Sequence, residues 1–450
     1  MDPAKDPLQI AIDGPAGSGK SSVAARVSER LGLVHVDTGA MYRALTFLSL
    51  REKIPPSSED ALSERLDAME IEFREGALHL DGEDLSQAIR TPQVTERVSE
   101  VSAHPKVRRV MVARQRRLCR QSARGSVLEG RDIGSVVLPL SRCKIYLDAR
   151  LEERAKRRLL QAGEEPREAR LEELEREIQR RDKLDSEREH SPLLISPDAH
   201  VIDTSAMSLE EVVDEVARLA KEAIPPEPEP AALAPYRFRK WSYAWVVRLI
   251  RLVFFGPCGM RVFGRANADL AEAVLFASNH ISHFDPPVAG SALGRELYFL
   301  AKRELFVGIF GKIIAHFDAI PIRRGRWDAE AFEAAIAALK RGESLMFFPE
   351  GTRKPRGRPG PGKRGLGILL ERSEVPMLPV FVRGTDSLRA CLLRRERLEV
   401  WIGPPLRLHA LNVLKKTISD AALQQRIASL WLACIQELAE RSAQLAAKPS

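Results

Sequence analysis

Short apolar runs alternate along this chain with segments that have the helical period. Residues 8–13 form an apolar run of strand length, and residues 21–27 carry apolar side chains at helical spacing. A second run of strand length, residues 274–278, lies past the middle of the chain, and residues 421–445 return to the helical period. Strands that alternate with helices predict the α/β class, in which helices flank a largely parallel sheet.

Length and one proline-rich segment divide the chain. Its 450 residues exceed the usual size of one domain, about 100–200 residues. Residues 225–235 hold five prolines in eleven positions, which prevents a continuous helix or strand. We therefore expect a first domain at residues 1–224, a linker at 225–235 and a second domain at 236–450.

The charge is distributed unevenly between the two halves. The formal net charge of +8 divides into −7 for residues 1–235 and +15 for residues 236–450. A basic second half indicates an anionic partner, which could be a membrane surface, phosphorylated lipids, an acidic carrier or nucleic acid. No aromatic-rich RNA-binding motif or zinc-finger spacing occurs, so nucleic acid is not expected as a partner. The five cysteines include no close pair, which favours the reducing cytoplasm.

The most apolar stretch, residues 241–263, is interrupted by Arg248, Arg251 and Arg261. It therefore lacks the roughly 18 uninterrupted apolar residues of a spanning helix. Aromatic and aliphatic residues interleaved with arginine are typical of a segment that lies in the membrane interface. An amphipathic helix packed on its own domain is the alternative.

The first apolar run leads into a glycine-rich loop, Gly14-Pro15-Ala16-Gly17-Ser18-Gly19-Lys20-Ser21. A strand before such a loop and a helix after it are typical of a phosphate-binding loop. Its backbone N–H groups converge on phosphate oxygens, Lys20 supplies charge to the β- and γ-phosphates of ATP, and Ser21 can hold Mg²⁺. The loop predicts an ATP-using enzyme and leaves the second substrate open.

Three further motifs follow, at residues 37–43, 129–134 and 181–188. In order and spacing they resemble the bacterial cytidylate kinase family over about residues 7–222. The resemblance implies a P-loop nucleoside monophosphate kinase fold, in which the strand-like stretch 71–80 belongs to an insert. It also implies transfer of a phosphoryl group from ATP, with Mg²⁺, to CMP or dCMP.

The resemblance implies a role for each residue of the nucleotide site. The CMP phosphate would be bound by Thr38, Arg43, Arg131 and Arg188, the ribose by Arg181 and Asp185, and the cytosine edge by Ser99, Arg108 and Asp132. Guanidinium groups suit phosphate oxygens, which agrees with these roles. On the predicted helix 151–161, one or two of Arg154, Arg157 and Arg158 would close on ATP, and Arg157 is assigned to that site.

The second motif begins with Asn279 and His280, directly after the apolar run 274–278. Asp285 precedes two prolines, which predicts a helix start with Asp285 as its N-cap and a turn that returns it to His280. A carboxylate that fixes the imidazole tautomer leaves the other ring nitrogen free to accept a proton from a hydroxyl group. The pattern predicts base catalysis without a covalent intermediate.

Together with residues 319–324, 348–353 and 375–380, this motif resembles the glycerolipid acyltransferase family typified by 1-acylglycerol-3-phosphate acyltransferase. The resemblance implies that His280, paired with Asp285, deprotonates the free hydroxyl group of a lysophosphatidic acid, with acyl-CoA or acyl carrier protein as the donor. Glu350 would join these catalytic residues by positioning the acceptor. The N–H of Gly351 would stabilise the oxyanion. The acceptor would be bound by Arg323, Arg324, Glu350, Gly351, Thr352, Arg353 and Lys363.

The two resemblances together predict a bifunctional enzyme with two α/β domains, located in the cytoplasm and peripherally associated with the inner face of the membrane. Two alternatives stay open for the second domain. It could acylate another lysolipid or glycerol 3-phosphate, or it could serve only as a membrane tether for the kinase.

Overall fold

The computed structural model describes residues 2–74, 77–163, 168–188, 191–224, 240–254, 257–323, 327–354 and 359–447. The chain divides into two compact units, one of residues 7–224 and one of residues 225–450 together with residues 1–6. The expected linker, residues 225–235, lies outside the described residues.

The first unit contains a five-stranded parallel sheet with strand order β2-β6-β1-β7-β8 and a small antiparallel sheet with order β3-β4-β5. Its strands are β1 (Gln9–Asp13), β2 (Val34–Asp37), β3 (Ile71–Arg74), β4 (Ala77–Leu80), β5 (Glu83–Asp84), β6 (Ser126–Gly130), β7 (Cys143–Asp148) and β8 (His200–Asp203). Its helices are α1 (Lys20–Leu31), α2 (Thr38–Arg51), α3 (Glu59–Ala68), α4 (Pro92–Val101), α5 (Pro105–Gln121), α6 (Leu151–Ala162), α7 (Glu168–Ser186) and α8 (Leu209–Glu222).

The side chains of the central strand β1 pack against helices on both faces of this sheet. Ile10 and Ile12 pack in one core cluster with α1 and α8, while Ala11 lies in a second cluster with α2, α3 and α5. Alternate side chains of a strand point to opposite faces, so the side chains of a continuous apolar run are buried on both faces of the sheet. The predicted strand 8–13 and the predicted helix 151–161 are confirmed as β1 and α6.

The second unit contains a seven-stranded sheet with order β12-β11-β13-β10-β14-β15-β9, in which only the β14–β15 pair is antiparallel. Its strands are β9 (Arg261–Phe263), β10 (Leu275–Ser278), β11 (Tyr298–Lys302), β12 (Ala319–Ile322), β13 (Leu345–Phe347), β14 (Met377–Arg383) and β15 (Glu399–Ile402). Its helices are α9 (Trp241–Phe254), α10 (Asp285–Leu293), α11 (Gly308–His316), α12 (Ala329–Lys340), α13 (Gly365–Ser373), α14 (Leu388–Leu392), α15 (Leu411–Thr417) and α16 (Asp420–Ala447).

The buried strand β10 lies at the centre of the second sheet, between β13 and β14. Helix α16 packs beside it, and the indole N–H of Trp431 donates to the carbonyl oxygen of Ala277 at 3.0 Å. The predicted packing role of residues 421–445 is confirmed by the many buried side chains of α16. Both units therefore have the α/β fold that the sequence predicts.

The apolar stretch 241–263 forms helix α9 and then the short strand β9. Tyr243, Val247 and Phe254 of α9 are buried in the unit. Among the described residues, every helix is too short or too polar to cross a bilayer.

Candidate active sites

The phosphate-binding loop lies between the end of β1 and the start of α1. Gly14 adopts a φ of +153°, and a Cβ atom there would stand 2.2 Å from the carbonyl oxygen of Leu147. Only glycine allows this close approach. The Lys20 ammonium donates to the carbonyl oxygen of Pro15 at 2.6 Å, and burial lowers its pKa well below the usual range. The lysine charge is thus placed inside the loop and little hydrated.

Ser21, the expected magnesium ligand, donates its hydroxyl hydrogen to Glu129 Oε2 at 2.6 Å. Burial tends to raise the pKa of Glu129, but hydrogen bonds with His35 and Ser21 outweigh it and lower that pKa. A hydroxyl group and a carboxylate are the oxygen ligands that Mg²⁺ prefers. The described residues contain no group of three or more His, Cys, Asp or Glu side chains that could hold a metal ion.

Arg131, Asp185 and Arg188 meet beside this loop. Arg131 Nε donates to Asp185 Oδ2 at 2.9 Å, and Arg188 pairs with Asp185 Oδ1 at 2.5 Å. Arg131 also donates to the carbonyl oxygen of Gly14 at 3.0 Å. Burial and the nearby charge of Arg131 lower the pKa of Arg181 to about 10. Two guanidinium groups thus share one buried carboxylate, which leaves positive charge for an anionic ligand.

Thr38 and Arg43 both lie on α2, and Thr38 is its first residue. The Thr38 hydroxyl donates to the carbonyl oxygen of Glu129 at 2.6 Å. Burial and the Glu129 carboxylate raise the pKa of Asp37, against the opposing charge of Arg43. Thr38 is therefore bound to the end of β6, and Arg43 acts on the nearby Asp37 at the end of β2.

The three residues expected at the cytosine edge lie on α4, on α5 and after β6. Arg108 is buried and forms an ion pair with Asp132, and its guanidinium carbon lies 5.5 Å from the ring centroid of Tyr42. It also donates to the carbonyl oxygen of Ser102 at 3.0 Å, three residues beyond the half-buried Ser99. Arg108 and Asp132 thus offer a donor and an acceptor side by side.

Two of the three arginines expected above ATP contact the loop backbone. Arg154 donates to the carbonyl oxygen of Ala16 at 3.1 Å, and Arg157 donates to that of Ser18 at 3.4 Å. Arg158 instead stands 3.7 Å from Glu177 on the surface. Asp182, which sequence reasoning missed, accepts from the N–H of Ala16 at 3.1 Å and pairs with Arg154. Nothing in the local pattern distinguishes Asp182 from its charged neighbours on α7.

In the second unit, His280 and Asp285 meet across a turn after β10. His280 Nδ1 lies 2.8 Å from Asp285 Oδ2, and Asp285 is fully buried. An ionised carboxylate only accepts hydrogen bonds, so Nδ1 carries the hydrogen and Nε2 keeps its lone pair. The predicted turn is present, and it prepares His280 to accept a proton through Nε2.

The predicted N-cap role of Asp285 is wrong, because α10 begins at Asp285 itself. Its Oδ2 accepts from the backbone N–H groups of Ile281 and Ser282, at 2.7 and 2.8 Å. Its Oδ1 accepts from the hydroxyl group of Thr385, which follows β14. Sequence reasoning missed Thr385, because it lies 100 residues away along the chain. The carboxylate is therefore held on both oxygens while it orients the imidazole.

Glu350 lies after β13, the neighbour of β10, and is buried. Its Oε2 accepts from the N–H of His280 at 3.3 Å and its Oε1 from that of Gly360 at 2.9 Å. Burial raises the pKa of Glu350, against these hydrogen bonds. The N–H of Lys354 donates to the carbonyl oxygen of His280 at 2.8 Å. Glu350 thus joins the two motif loops through their backbones.

The expected oxyanion donor is engaged elsewhere in this conformation. The N–H of Gly351 donates to the carbonyl oxygen of Phe348 at 3.0 Å, so it does not point into the site. Gly351 has a φ of +69°, and a Cβ atom there would lie 3.1 Å from Lys363 Nζ. The turn requires glycine because the backbone is left-handed and the Lys363 side chain lies against it.

The remaining acceptor residues are distributed around this turn. Arg353 is exposed and contacts His283, and Thr352 is exposed beside it. Arg323 directly follows β12, and its N–H donates to Asp328 Oδ2 at 2.8 Å. Arg324 lies outside the described residues. Arg353 thus contacts the His280 motif through His283, and Lys363 lies against the Gly351 turn.

Comparisons with known proteins agree with this division. Residues 10–222 match the cytidylate kinase family profile and residues 259–383 match the acyltransferase profile. The cytidylate kinase of Bacillus cytotoxicus is 48% identical over 221 residues, which covers 48% of this chain and 97% of that protein. The cytidylate kinase of Bacillus thuringiensis is 47% identical over 213 residues, covering 46% and 94%. The 1-acyl-sn-glycerophosphate (LPA) acyltransferase PlsC of Thermotoga maritima aligns with a TM-score of 0.35 at 23% identity, covering 48% of this chain and 85% of that structure.

Proposed function

Because this chain belongs to the cytidylate kinase family and carries an acyltransferase domain in its second half, we propose that it is a bifunctional enzyme. Its first domain phosphorylates CMP, and dCMP, to the diphosphate with ATP. Its second domain transfers an acyl group from an acyl thioester to 1-acylglycerol 3-phosphate, which gives phosphatidic acid. We propose residues 1–224 as the kinase domain, 225–235 as a linker and 236–450 as the acyltransferase domain, with residues 1–6 packed in the compact unit of the latter.

In the kinase, positioning and charge supply most of the catalysis. Arg131 and Arg188 bind the CMP phosphate, while Asp185, which now pairs with both, turns to the ribose together with Arg181. Arg108 and Asp132 bind the cytosine edge with Ser99. The phosphate oxygen of CMP is already an anion, so no general base is needed. Ser21 and Glu129 would hold Mg²⁺ together with the ATP phosphates, and the ion would supply positive charge beside the transferred group.

In the acyltransferase, the His280–Asp285 pair is the observation that carries the proposal. His280 Nε2 accepts the proton of the acceptor hydroxyl group while the oxygen of that hydroxyl group attacks the thioester carbonyl carbon. The bond from carbon to sulphur then breaks, and the thiolate leaves and takes up the proton. The new imidazolium is stabilised by Asp285, which the hydroxyl group of Thr385 and two backbone N–H groups hold in place.

Cationic side chains support the proposed acceptor, which carries a phosphate group. Arg353 contacts His283 of the His280 motif, Lys363 lies against the Gly351 turn, and Arg323 directly follows β12. These cations suit a substrate with a phosphate group beside the reacting hydroxyl. Acyl-CoA and acyl carrier protein both present the thioester that this chemistry needs.

A panel of acceptors with radiolabelled acyl-CoA and acyl carrier protein tests this proposal. We expect transfer to 1-acylglycerol 3-phosphate to exceed transfer to glycerol 3-phosphate and to zwitterionic lysolipids. A variant with Arg353→Ala should lose this preference, because its guanidinium would no longer bind the phosphate. Preferred acylation of a phosphate-free acceptor would contradict the proposed substrate, and no transfer at all would favour a membrane tether.

A membrane surface is the proposed location of the second domain. Four large apolar residues of α9 point away from its buried side: Trp241, Trp245, Leu249 and Leu252. Their spacing places them on one face of the helix, next to Arg248 and Arg251. An apolar face flanked by arginines suits the boundary between acyl chains and anionic head groups.

Removing part of this face should weaken binding to anionic vesicles. We expect the double change Trp245→Ala and Leu249→Ala to lower partitioning about tenfold or more, because two apolar side chains no longer leave water. The matched control replaces Leu160 and Leu184, which are exposed in the first unit, by alanine; Leu160 and Leu249 are 69% and 61% exposed. Binding should also weaken as salt rises. Equal losses in both double variants would contradict the proposed face.

A further inference from the structure

Residues 2–6 precede the kinase fold in sequence but pack within the second unit. They form one 3₁₀ turn, Pro3–Lys5, in which Pro3 is buried. Asp2 Oδ1 accepts from the N–H of Ala4 at 3.1 Å, which caps the turn. The same oxygen accepts from the N–H of Gly264 at 2.5 Å, directly after β9. One end of this segment is therefore attached to the edge strand of the second sheet.

The other end is attached to Arg441 on α16, whose side chain is 2% exposed. Glu437 Oε1 accepts from Arg441 Nε at 3.1 Å and from Nη2 at 2.5 Å. Asp6 Oδ2 accepts from Nη1 at 2.6 Å. Glu437 and Asp6 thus divide the donors of one buried guanidinium between them. Without Asp6, Nη1 would lose a charged acceptor in a place that water reaches poorly.

Both attachment points lie next to β15 or its neighbours, because Gly264 follows β9, which pairs with β15, and Arg441 precedes Ser442, which bonds to Glu399 on β15. Glu399 Oε2 accepts from the hydroxyl group of Ser442 at 2.6 Å and from the indole N–H of Trp401 at 2.9 Å. Strand β15 in turn pairs with β9, the last strand of the sheet. Residues 2–6 therefore bridge β9 and α16 at the edge where the sheet ends. Such a bridge opposes fraying of a three-residue edge strand.

We propose that residues 2–6 are a structural strap of the acyltransferase domain. The domain is then completed by two stretches of chain separated by the whole kinase sequence. A cut within residues 225–235 would leave the strap on the kinase fragment, so the acyltransferase fragment would be incomplete. This inference concerns the fold of the second unit and does not depend on its substrate.

Hydrogen exchange of the full chain tests the strap. We expect Asp2→Ala and Asp6→Ala each to speed exchange about tenfold or more, at the N–H of Gly264 in the first variant and along the last turns of α16 in the second. Peptides from β6 of the first unit should exchange as in the wild type. Lys5→Ala is the matched control, because Lys5 is exposed in the same turn. Asp6→Asn keeps a hydrogen-bond acceptor without the charge. Its exchange rate along α16 should therefore fall between those of the wild type and Asp6→Ala.

Unchanged exchange in both aspartate variants would overturn the proposal, as would equal acceleration in β6, which would indicate loss of the whole fold. Sedimentation of the same variants distinguishes a strap that packs on its own chain from one that docks on a second copy. A wild type that is dimeric and an Asp6→Ala variant that is monomeric would show that the segment docks on a second copy instead. An unchanged sedimentation coefficient with faster exchange at Gly264 and α16 is the result expected for a strap within one chain.

Discussion

Replacing Lys20 by methionine should lower CMP phosphorylation about 10³-fold or more, because the transition state then loses the cation that faces the β- and γ-phosphates. Acyl transfer by the same protein should stay within about twofold, since the His280 loop belongs to a different compact unit. Methionine fills most of the volume of lysine. Burial disfavours the charge of Lys20, so its removal should not weaken the fold. Coupled assays of both activities on one preparation measure the result.

Lys183→Met is the matched control, because Lys183 is an exposed lysine on α7 of the same unit. Its Nζ lies 3.9 Å from Glu187 Oε1. It should leave both activities near the wild type. Loss of both activities in a folded Lys20→Met protein would contradict two separate active sites. Full kinase activity in that variant would contradict the role of the loop.

Elements that are encoded by local pattern could be predicted from the sequence. The buried strand β1, the glycine-rich loop and α1 follow one another within about twenty residues, so their order fixes the phosphate site. The same holds for β10 and the turn that returns Asp285 to His280. In both cases a polar motif directly follows a buried parallel strand, and the fold places such motifs at one edge of the sheet.

Contacts between distant segments could not be predicted in this way. Thr385 supports Asp285 across 100 residues, and Asp182 reaches Ala16 across 166. The strap is the extreme case, since Asp6 and Arg441 are 435 residues apart. Charged residues are common along this chain, and only the fold selects which of them meet. The Gly351 N–H illustrates the converse, because a local turn with Phe348 takes up a donor that the motif suggested for the substrate.

His280→Ala should lower acyl transfer about 10²–10⁴-fold, the usual contribution of a general base, with CMP phosphorylation preserved. Asp285→Asn should produce a loss of similar kind, because an amide no longer fixes the hydrogen on Nδ1 or stabilises the imidazolium. Thr385→Val removes one hydrogen bond to the carboxylate and should cost less, about tenfold. This order of effects follows from the distance of each residue to the transferred proton.

His283 is the control that makes the His280 prediction specific, because both histidines belong to one motif. His283 is exposed and contacts Arg353, a residue that we place at the acceptor phosphate. His283→Ala should therefore raise the KM for the acceptor and leave kcat close to the wild type. His280→Ala should instead lower kcat, because its Nε2 acts on the reacting hydroxyl group. Steady-state kinetics with 1-acylglycerol 3-phosphate separate the two roles, and the reverse pattern would assign the base to His283.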